Sequence, residues 1–390
     1  MAWVRRLIPI LGITFVDIIG FSMLIPMLPY FVTHFGAKPI VVGVLFATFS
    51  LCQLISAPLW GNVSDRIGRK VVLVTSQIGS TIGWTMLAFS PTIAWVFVAR
   101  IVEGVSGGNI GITQAYVADL VPPKERSRAF ALIGATFGAG MIFGPVIGGV
   151  LFLRYGFKAP FLTAAALQLL TLALTLAFVP ESRRHEDREH VGIRDVLEGF
   201  RRPGLAFILG QKLALSLGLY GWYAVFALYL QRQLDFTLAR TDFFFAIFAA
   251  ASVIMNTVAV GGVSKRTGDR RMSNLGLATL AASFLLLPFV HNIGVLAGVL
   301  ILFSFGSALA QNGITAQISN AVHDREQGTV LSVGSSLDSL SGIVAPPIST
   351  GLLGAAGPAF AGVESSVFAL TALVMGAVAT YRTARMRSTP

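Results

Sequence analysis

The chain has 390 residues, of which 54% are hydrophobic and only 12% are charged, and its net charge is +11. A soluble domain carries about 25% charged residues, whereas here apolar runs of about 20 residues, long enough to cross a bilayer, recur from end to end. This composition excludes a soluble protein, and the lack of short alternating segments excludes an outer-membrane barrel, so we predict an all-α integral membrane protein.

Twelve transmembrane helices follow one another along the chain. The first carries Asp17 and leads directly into further spans, so we expect it to be retained and not cleaved as a signal peptide. A polar stretch then separates six spans from six, which predicts an N-terminal six-helix bundle (1–180), a cytoplasmic linker (181–204) and a C-terminal six-helix bundle (205–390). The predicted spans are 7–32, 40–61, 71–90, 92–117, 128–152, 157–179, 205–231, 241–263, 272–290, 293–318, 328–355 and 360–381.

Basic residues concentrate on one side of this topology. With the N-terminus in the cytoplasm, 22 of the 29 Lys and Arg residues fall on the cytoplasmic side and 5 on the other. Because Lys and Arg favour cytoplasmic loops, we expect a multi-pass cell-membrane (inner-membrane) protein with both termini in the cytoplasm. The positive charge is thereby explained by topology, and no nucleic-acid partner is expected.

An internal repeat relates the two halves. The stretch that begins at Glu125 is followed 201 residues later by a similar stretch that begins at Glu326. Likewise "GNVSDRIGRK" at 61–70 is echoed by "GGVSKRTGDRR" at 261–271, at an offset of 200. Repeats with a site at their interface are typical of secondary transporters, so we predict two pseudo-symmetric bundles that operate by alternating access.

Four motifs make the chain resemble the major facilitator superfamily, and within it the twelve-span drug/proton antiporters that include the bacterial tetracycline efflux pumps. The motifs are "DIIGFSMLIPMLPYF" from Asp17, "GNVSDRIGRK" from Gly61, "ARIVEGVSGG" from Ala99 and "GATFGAGMIFGPVIGG" from Gly134. The resemblance covers essentially the whole chain. It implies the major facilitator fold, a monomer, and proton-coupled export of small amphipathic or drug-like molecules, with antibiotic resistance as the biological role.

The resemblance also implies residues that gate transport. In the family, the aspartate of the loop between spans two and three docks against the opposite half and latches the cytoplasmic side shut. We read the repeat as holding Lys265 or Arg266 near this point and no acid, so a single latch is expected. The loop signature is matched at Gly61, Asp65, Arg66, Gly68, Arg69 and Lys70.

Span five carries the second gating signature. Glycines at intervals of four lie on one helix face and let backbones approach closely, and a proline bends the helix. The resemblance implies that this helix lies between the halves and seals one conformation, whereas the alternative is ordinary helix packing. The matched residues are Gly144, Pro145, Gly148 and Gly149.

Charged residues inside the spans are candidates for proton coupling. Each costs about 2.5–3.5 kcal/mol on insertion scales and marks function by default, although a buried structural ion pair is the alternative. Asp17 and Arg100 lie at similar depths, and Glu103 follows Arg100 on the same face. We expect Asp17, Arg100, Glu103 and Asp338 to couple protons, with Asp17 foremost, while Asp338 either titrates or pairs with Lys212.

Polar and aromatic residues on spans four, seven and ten are candidate substrate contacts, because in this fold these spans and span one line the central cavity. For the tyrosines, interfacial or core packing is the alternative. Span three lacks the mid-helix acid that the tetracycline pumps use for the drug–metal complex, so tetracycline itself is not expected. The candidates are Gln114, Lys212, Tyr220, Tyr223, Gln311 and Asn312.

Other functions are weighed against this one. A proton-coupled exporter of a sugar or other small metabolite would favour polar over aromatic stripes, and the mixed stripes do not decide. A non-transporting receptor predicts decay of the gating loop or of the span-one acid, and both are intact. No nucleophile–base set, phosphate loop or metal-ligand cluster is visible, so we expect no enzyme, no cofactor and no metal site; small molecules, protons and lipid are the expected partners.

Overall fold

The computed structural model describes residues 2–107, 113, 116–117, 121, 126–181, 203–322 and 327–388, with most of their side chains. Within these residues the chain forms twelve α-helices, and eleven of them are long and apolar enough to cross a membrane. The remaining helix, α4, is described over 14 residues only. The predicted all-α membrane fold is confirmed.

The first six helices are α1 (Ala2–His34), α2 (Pro39–Ile67), α3 (Arg69–Ala88), α4 (Ile93–Ser106), α5 (Arg126–Tyr155) and α6 (Lys158–Phe178). The second six are α7 (Pro203–Leu234), α8 (Leu238–Thr267), α9 (Asp269–Leu285), α10 (Ile293–Asn320), α11 (Gln327–Ala356) and α12 (Val363–Ser388). Six of the twelve helices begin and end outside the predicted apolar runs, because backbone hydrogen bonding continues through polar residues that a bilayer-length estimate leaves out.

The helices form two compact units. The first contains Met1–Lys38, Leu45–Glu189 and Phe236–Ala249. Within it α1 packs on α5 and α6, and α3 packs on α4 and α6. Its core includes apolar residues of α1 and α3, such as Ile10 and Leu73, which are almost completely buried.

The second unit contains Pro39–Val44, His190–Asp235 and Ala250–Pro390. Here α7 packs on α11 and α12, and α9 packs on α10 and α12. Each of these pairs has its counterpart six helices earlier in the first unit, so the predicted pseudo-symmetry of two six-helix bundles is confirmed in the pairing order. The division at 180 and 205 stays a prediction.

The segment 61–70 is not the loop that its charges suggested. Helix α2 continues through Ile67, α3 begins at Arg69, and Gly68 alone separates them with φ +111°. A left-handed φ is strained for residues with a Cβ, so the glycine allows the chain to reverse in a single residue. Gly268 makes the equivalent break between α8 and α9 with φ +73°.

Candidate functional site

Asp17 lies on α1, which packs closely on α5. A Cβ built on Gly140 would lie 2.7 Å from the Ile18 side chain, and the Ser22 hydroxyl donates to the Gly140 carbonyl at 3.0 Å. Glycine at such a contact lets two backbones approach closely. The Asp17 side chain is half-buried on this helix.

Arg100 and Glu103 form an ion pair within one turn of α4. Their side chains are only 1% and 5% exposed. The Arg100 guanidinium lies over the Phe49 ring of α2, 4.2 Å from its centre, and Glu103 packs against Gly83 of α3. The Nε and Nη2 atoms of Arg100 bond to none of the described residues. Arg100 and Glu103 thus form the buried ion pair that was the alternative to proton coupling, and neighbouring helices enclose it; their role in proton coupling stays a prediction.

Lys212 and Asp338 form a second ion pair, which joins α7 to α11. The Lys212 Nζ lies 2.7 Å from Oδ1 and 2.9 Å from Oδ2 of Asp338, and the Ser216 hydroxyl donates to Oδ1 at 2.5 Å. The two charged side chains are 15% and 31% exposed. Of the two alternatives for Asp338, the structure has the ion pair with Lys212.

The aromatic residues of α7 separate into a tyrosine pair and a core residue. The rings of Tyr220 and Tyr223 lie edge to face, 6.5 Å apart, and both tyrosines interact electrostatically with Asp338. Trp222 is buried against Phe226 and other rings of the second unit. Core packing therefore accounts for Trp222, while the tyrosines remain next to the ion pair.

Gln311 and Asn312 are exposed on α10, beside a polar contact with α8. The Asn312 amide donates to Oδ1 of Asn256 at 2.7 Å, and Ser252, one turn before Asn256, donates to Ser304 at 3.4 Å. Sequence reasoning missed the α8 side of this ladder. In the sequence, the only signal for these α8 contacts was two polar residues one turn apart in an apolar span. The contacts were not predictable because their partners lie more than 50 residues away.

Glu181 was missed at the turn from α2 to α3. Its carboxylate accepts a hydrogen bond from the Lys70 backbone N–H at 3.2 Å and lies against Gly68. An anion is favourable at the N-terminus of α3, where backbone N–H groups are free and the helix dipole is positive. The Lys70 side chain donates to the Leu176 carbonyl at 2.8 Å, which ties α3 to the end of α6.

The other predicted gating residues of this turn differ in their surroundings. Arg69 is buried and donates to the Ser64 hydroxyl, whereas Arg66 is exposed. A Cβ on Gly61 would meet nothing within 4 Å, so packing does not require a glycine there. The side chain of Asp65 and the whole of Gln114 lie outside the described residues.

The turn from α8 to α9 does carry an acid, contrary to the expectation of none. Asp269 follows Gly268 directly, and its Oδ1 accepts from Ser264 at 3.4 Å while Oδ2 accepts from Asn320 at 3.1 Å. The first turn has Arg69 at the equivalent position. The residue after the glycine is therefore basic in the first turn and acidic in the second. Comparison at Lys265 alone did not show this reversal.

The glycines of α5 contact two different helices. Cβ atoms on Gly144 and Gly148 would lie 2.7 Å from the Ile19 carbonyl and 3.3 Å from Met23, both on α1, so this part of the stripe is close helix packing. A Cβ on Gly149 would instead lie 2.9 Å from Asp242 of α8. Pro145 lies inside α5, and the gating role of these residues stays a prediction.

Two buried acids escaped the search for charges within spans. Asp242 is 1% exposed on α8, and Glu364 on α12 accepts a hydrogen bond from Ser349 of α11. Both lie inside predicted spans, 241–263 and 360–381, but so close to the ends that they resemble interfacial charges. Their burial depends on helices that are distant in sequence.

Comparison with known proteins decides the family. The model of the Major Facilitator Superfamily matches residues 10–346 and also residues 213–390. The chain belongs to this superfamily. It is 30% identical over 379 residues to tetracycline resistance protein class C of Escherichia coli, which covers 95% of each chain. It is 28% identical over 348 residues to multidrug resistance protein 2 of Bacillus subtilis (strain 168), which covers 86% of this chain and 85% of that one.

Solved structures agree on the fold of this superfamily member. A bacterial homolog of the human lysosomal transporter Spinster, in an inward-facing and unoccupied conformation, matches with a TM-score of 0.80 at 15% identity over 97% of both chains. The human organic anion transporter MFSD10 (TETRAN) matches with a TM-score of 0.71 at 23% identity, over 95% of this chain and 99% of that one. Identities this low show the fold alone.

The superfamily match makes the chain a multi-pass membrane transporter and not an enzyme. Its substrate class is a small molecule, as expected from the sequence. Among the described residues, no group of three or more His, Cys, Asp or Glu side chains is placed to hold a metal ion.

Proposed function

We propose that this chain is a proton-coupled antiporter that exports small amphipathic or drug-like molecules by alternating access of its two six-helix bundles. Both termini lie in the cytoplasm, the protein works as a monomer in the cell membrane, and proton entry drives substrate exit. Relatives named as tetracycline and multidrug resistance proteins support export of drug-like molecules. The observation that carries the proposal is the cluster of Lys212, Ser216 and Asp338 beside Tyr220 and Tyr223.

This cluster combines what binding of an amphipathic substrate requires. Tyrosine rings provide apolar faces with a polar tip, and Asp338 provides charge at a partly exposed position. A cationic or hydroxyl-bearing substrate competes with Lys212 for the Asp338 oxygens, so binding is linked to the breaking of an ion pair. Gln311 and Asn312 supply amide donors and acceptors on α10.

Asp17 is the residue we assign to proton coupling in the first bundle. It stands on a helix anchored by α5, it is half-buried, and a carboxyl in a membrane helix is a functional residue by default. In the first unit Glu103 is paired with Arg100 in a buried ion pair, so we place proton exchange at Asp17.

Gating belongs to the turn 61–70 and to the glycines of α5. Asp65 is the proposed cytoplasmic latch, and the cations around it hold the ends of α2 and α3 on the cytoplasmic side. Gly144 and Gly148 keep α1 close to α5, so bulky side chains there would displace the helix that carries Asp17.

The two candidate functions differ in the substrate that is exported. The absence of an acidic residue in α3 (Arg69–Ala88) favours a compound other than the tetracycline–metal complex. Export of a sugar or other metabolite is the second candidate, because the Ser252–Ser304 and Asn256–Asn312 contacts give α8 and α10 a polar face.

Transport into proteoliposomes under an imposed pH gradient tests this function. The wild-type protein should concentrate an aromatic cation against its gradient, with tetracycline and a neutral sugar as comparison substrates. Asp17→Asn should abolish uphill transport because an amide keeps the size of the side chain but cannot exchange a proton. Substrate binding should persist, since the cluster on α7 and α11 is untouched.

Two matched variants sharpen the test. Asp17→Glu retains a titrating carboxyl and should keep part of the uphill transport, and Asp235→Asn changes an exposed acid between α7 and α8 and should behave as wild type. Uphill transport by Asp17→Asn would contradict the assigned role of Asp17. Transport of the sugar alone would show that the substrate is a metabolite and not a drug-like molecule. If no compound is transported, the result would favour a receptor function.

A further inference from the structure

Asp242 is a buried acid that the proposed transport cycle does not yet use. It lies in α8, one residue after Thr241, and its side chain is 1% exposed. Neither of its carboxyl oxygens forms a hydrogen bond with any described residue. The beginning of α8 belongs to the same compact unit as α1 and α5, so Asp242 is enclosed by helices of the first half of the chain.

Specific contacts hold the beginning of α8 against α1. The Tyr30 hydroxyl of α1 donates to the Phe236 carbonyl at 2.8 Å and lies 2.7 Å from the Thr241 hydroxyl. The Phe236 ring then packs on Phe244 with their centres 5.1 Å apart. The beginning of α8, which carries Asp242, is therefore held on α1 by contacts with defined partners.

Gly149 makes room for the Asp242 carboxyl on α5. A Cβ on this glycine would lie 2.9 Å from both Cβ and Oδ2 of Asp242, a distance that real Cβ atoms essentially never show. The last glycine of the α5 signature thus serves a contact with an acid and not with α1.

Among the described residues, the titratable side chains around Asp242 offer no compensating positive charge. On α1, Tyr30 interacts with it electrostatically, while the His34 ring lies near Phe35 and Phe157. Arg154 and Tyr155 on α5 and Arg240 on α8 are exposed. An ionised carboxylate without partners in such a place is strongly unfavourable, and the group instead takes up a proton.

We propose that Asp242 is a proton-binding site whose occupancy decides whether the beginning of α8 stays packed on α1 and α5. With the proton bound, the neutral carboxyl fits beside Gly149. When the proton leaves, the carboxylate needs water, and the beginning of α8 separates from the two helices. In the proposed topology this is the outer end of the bundle, so as a step in transport the inference rests on the proposed function.

Cysteine labelling in the absence of substrate tests the proposal. Ala246 lies one turn after Asp242 on the same face of α8 and is 6% exposed. In a Cys52→Ser background, an Ala246→Cys variant is labelled with a maleimide over a range of pH in detergent. Dividing its rate by that of an exposed Thr237→Cys variant at each pH removes the pH dependence of the thiol itself.

The normalised rate should rise with pH by up to about tenfold per unit while the proton leaves, as linkage to one proton requires. Adding Asp242→Asn should make the rate low and independent of pH, because the amide stays neutral. Asp235→Asn should leave the wild-type curve, and Gly149→Ala should raise the rate at low pH by displacing the carboxyl.

Three outcomes would overturn the proposal: a rate that does not change with pH in the parent protein, an unchanged curve with Asp242→Asn, or a low rate with Gly149→Ala at low pH. The first and third remain informative even if Asp242→Asn does not fold. Asp17→Asn should retain the pH dependence of labelling, so loss of uphill transport in that variant and failure of the Asp242 site are separate results.

Discussion

Two ion pairs among the residues that the structure describes differ in how they are built. Arg100 and Glu103 stand three residues apart on one helix and are 1% and 5% exposed. Lys212 and Asp338 are 126 residues apart, join two helices, and are 15% and 31% exposed. The first pair forms as soon as α4 forms, whereas the second depends on the packing of α7 on α11.

This difference in burial indicates different roles for the two ion pairs. Phe49 and Gly83 enclose the first pair, where low dielectric strengthens the attraction and makes an unpaired charge costly. The second pair is partly exposed, so water screens its attraction and its partners can be exchanged. We therefore expect the first pair to hold α4 in place and the second to take part in binding.

The largest effect should come from Glu103→Gln. It leaves the Arg100 charge buried without its partner, which costs about 3 to 5 kcal/mol in the free energy of unfolding. Unfolding of the purified protein in mixed micelles by a denaturing detergent measures this loss. The double variant Arg100→Met, Glu103→Leu should recover most of it, and a loss below about 1 kcal/mol for Glu103→Gln would show that water reaches the pair.

A smaller loss is expected when the second pair is broken. Asp338→Asn keeps the shape of the side chain and its contact with Ser216, and partial exposure lets water solvate Lys212. The free energy of unfolding should fall by about 1 to 2 kcal/mol, whereas substrate affinity in equilibrium binding should fall at least tenfold. Lys212→Met serves as the matched variant in a double-mutant cycle, and unchanged affinity in Asp338→Asn would remove the pair from the binding site.

The same contrast explains how much was predictable from the sequence. Twelve spans follow from apolar length, and the pairing of Arg100 with Glu103 follows from helical periodicity, because both signals are local. The pairing of Lys212 with Asp338 remained one of two alternatives, since helix packing decides it. Asp242 was missed for the same reason: its burial depends on Gly149, which lies in another helix of the other half of the sequence.

The smallest expected effect concerns a side-chain hydroxyl that bonds to the second ion pair and not to the first. Ser216 donates to Oδ1 of Asp338, so Ser216→Ala removes one hydrogen bond to a charged group in a partly exposed place, a loss of about 1 kcal/mol in the free energy of unfolding. Ser339→Ala is the matched control, since that hydroxyl donates within its own helix, to the Ser335 carbonyl at 3.3 Å, and its removal should change stability by less. If Ser216 acts through Asp338, then Ser216→Ala should lower substrate affinity severalfold in the wild type and have little further effect in Asp338→Asn. Equal effects in both backgrounds would show that Ser216 contributes to packing of α7 on α11 and does not orient the carboxylate that the substrate meets.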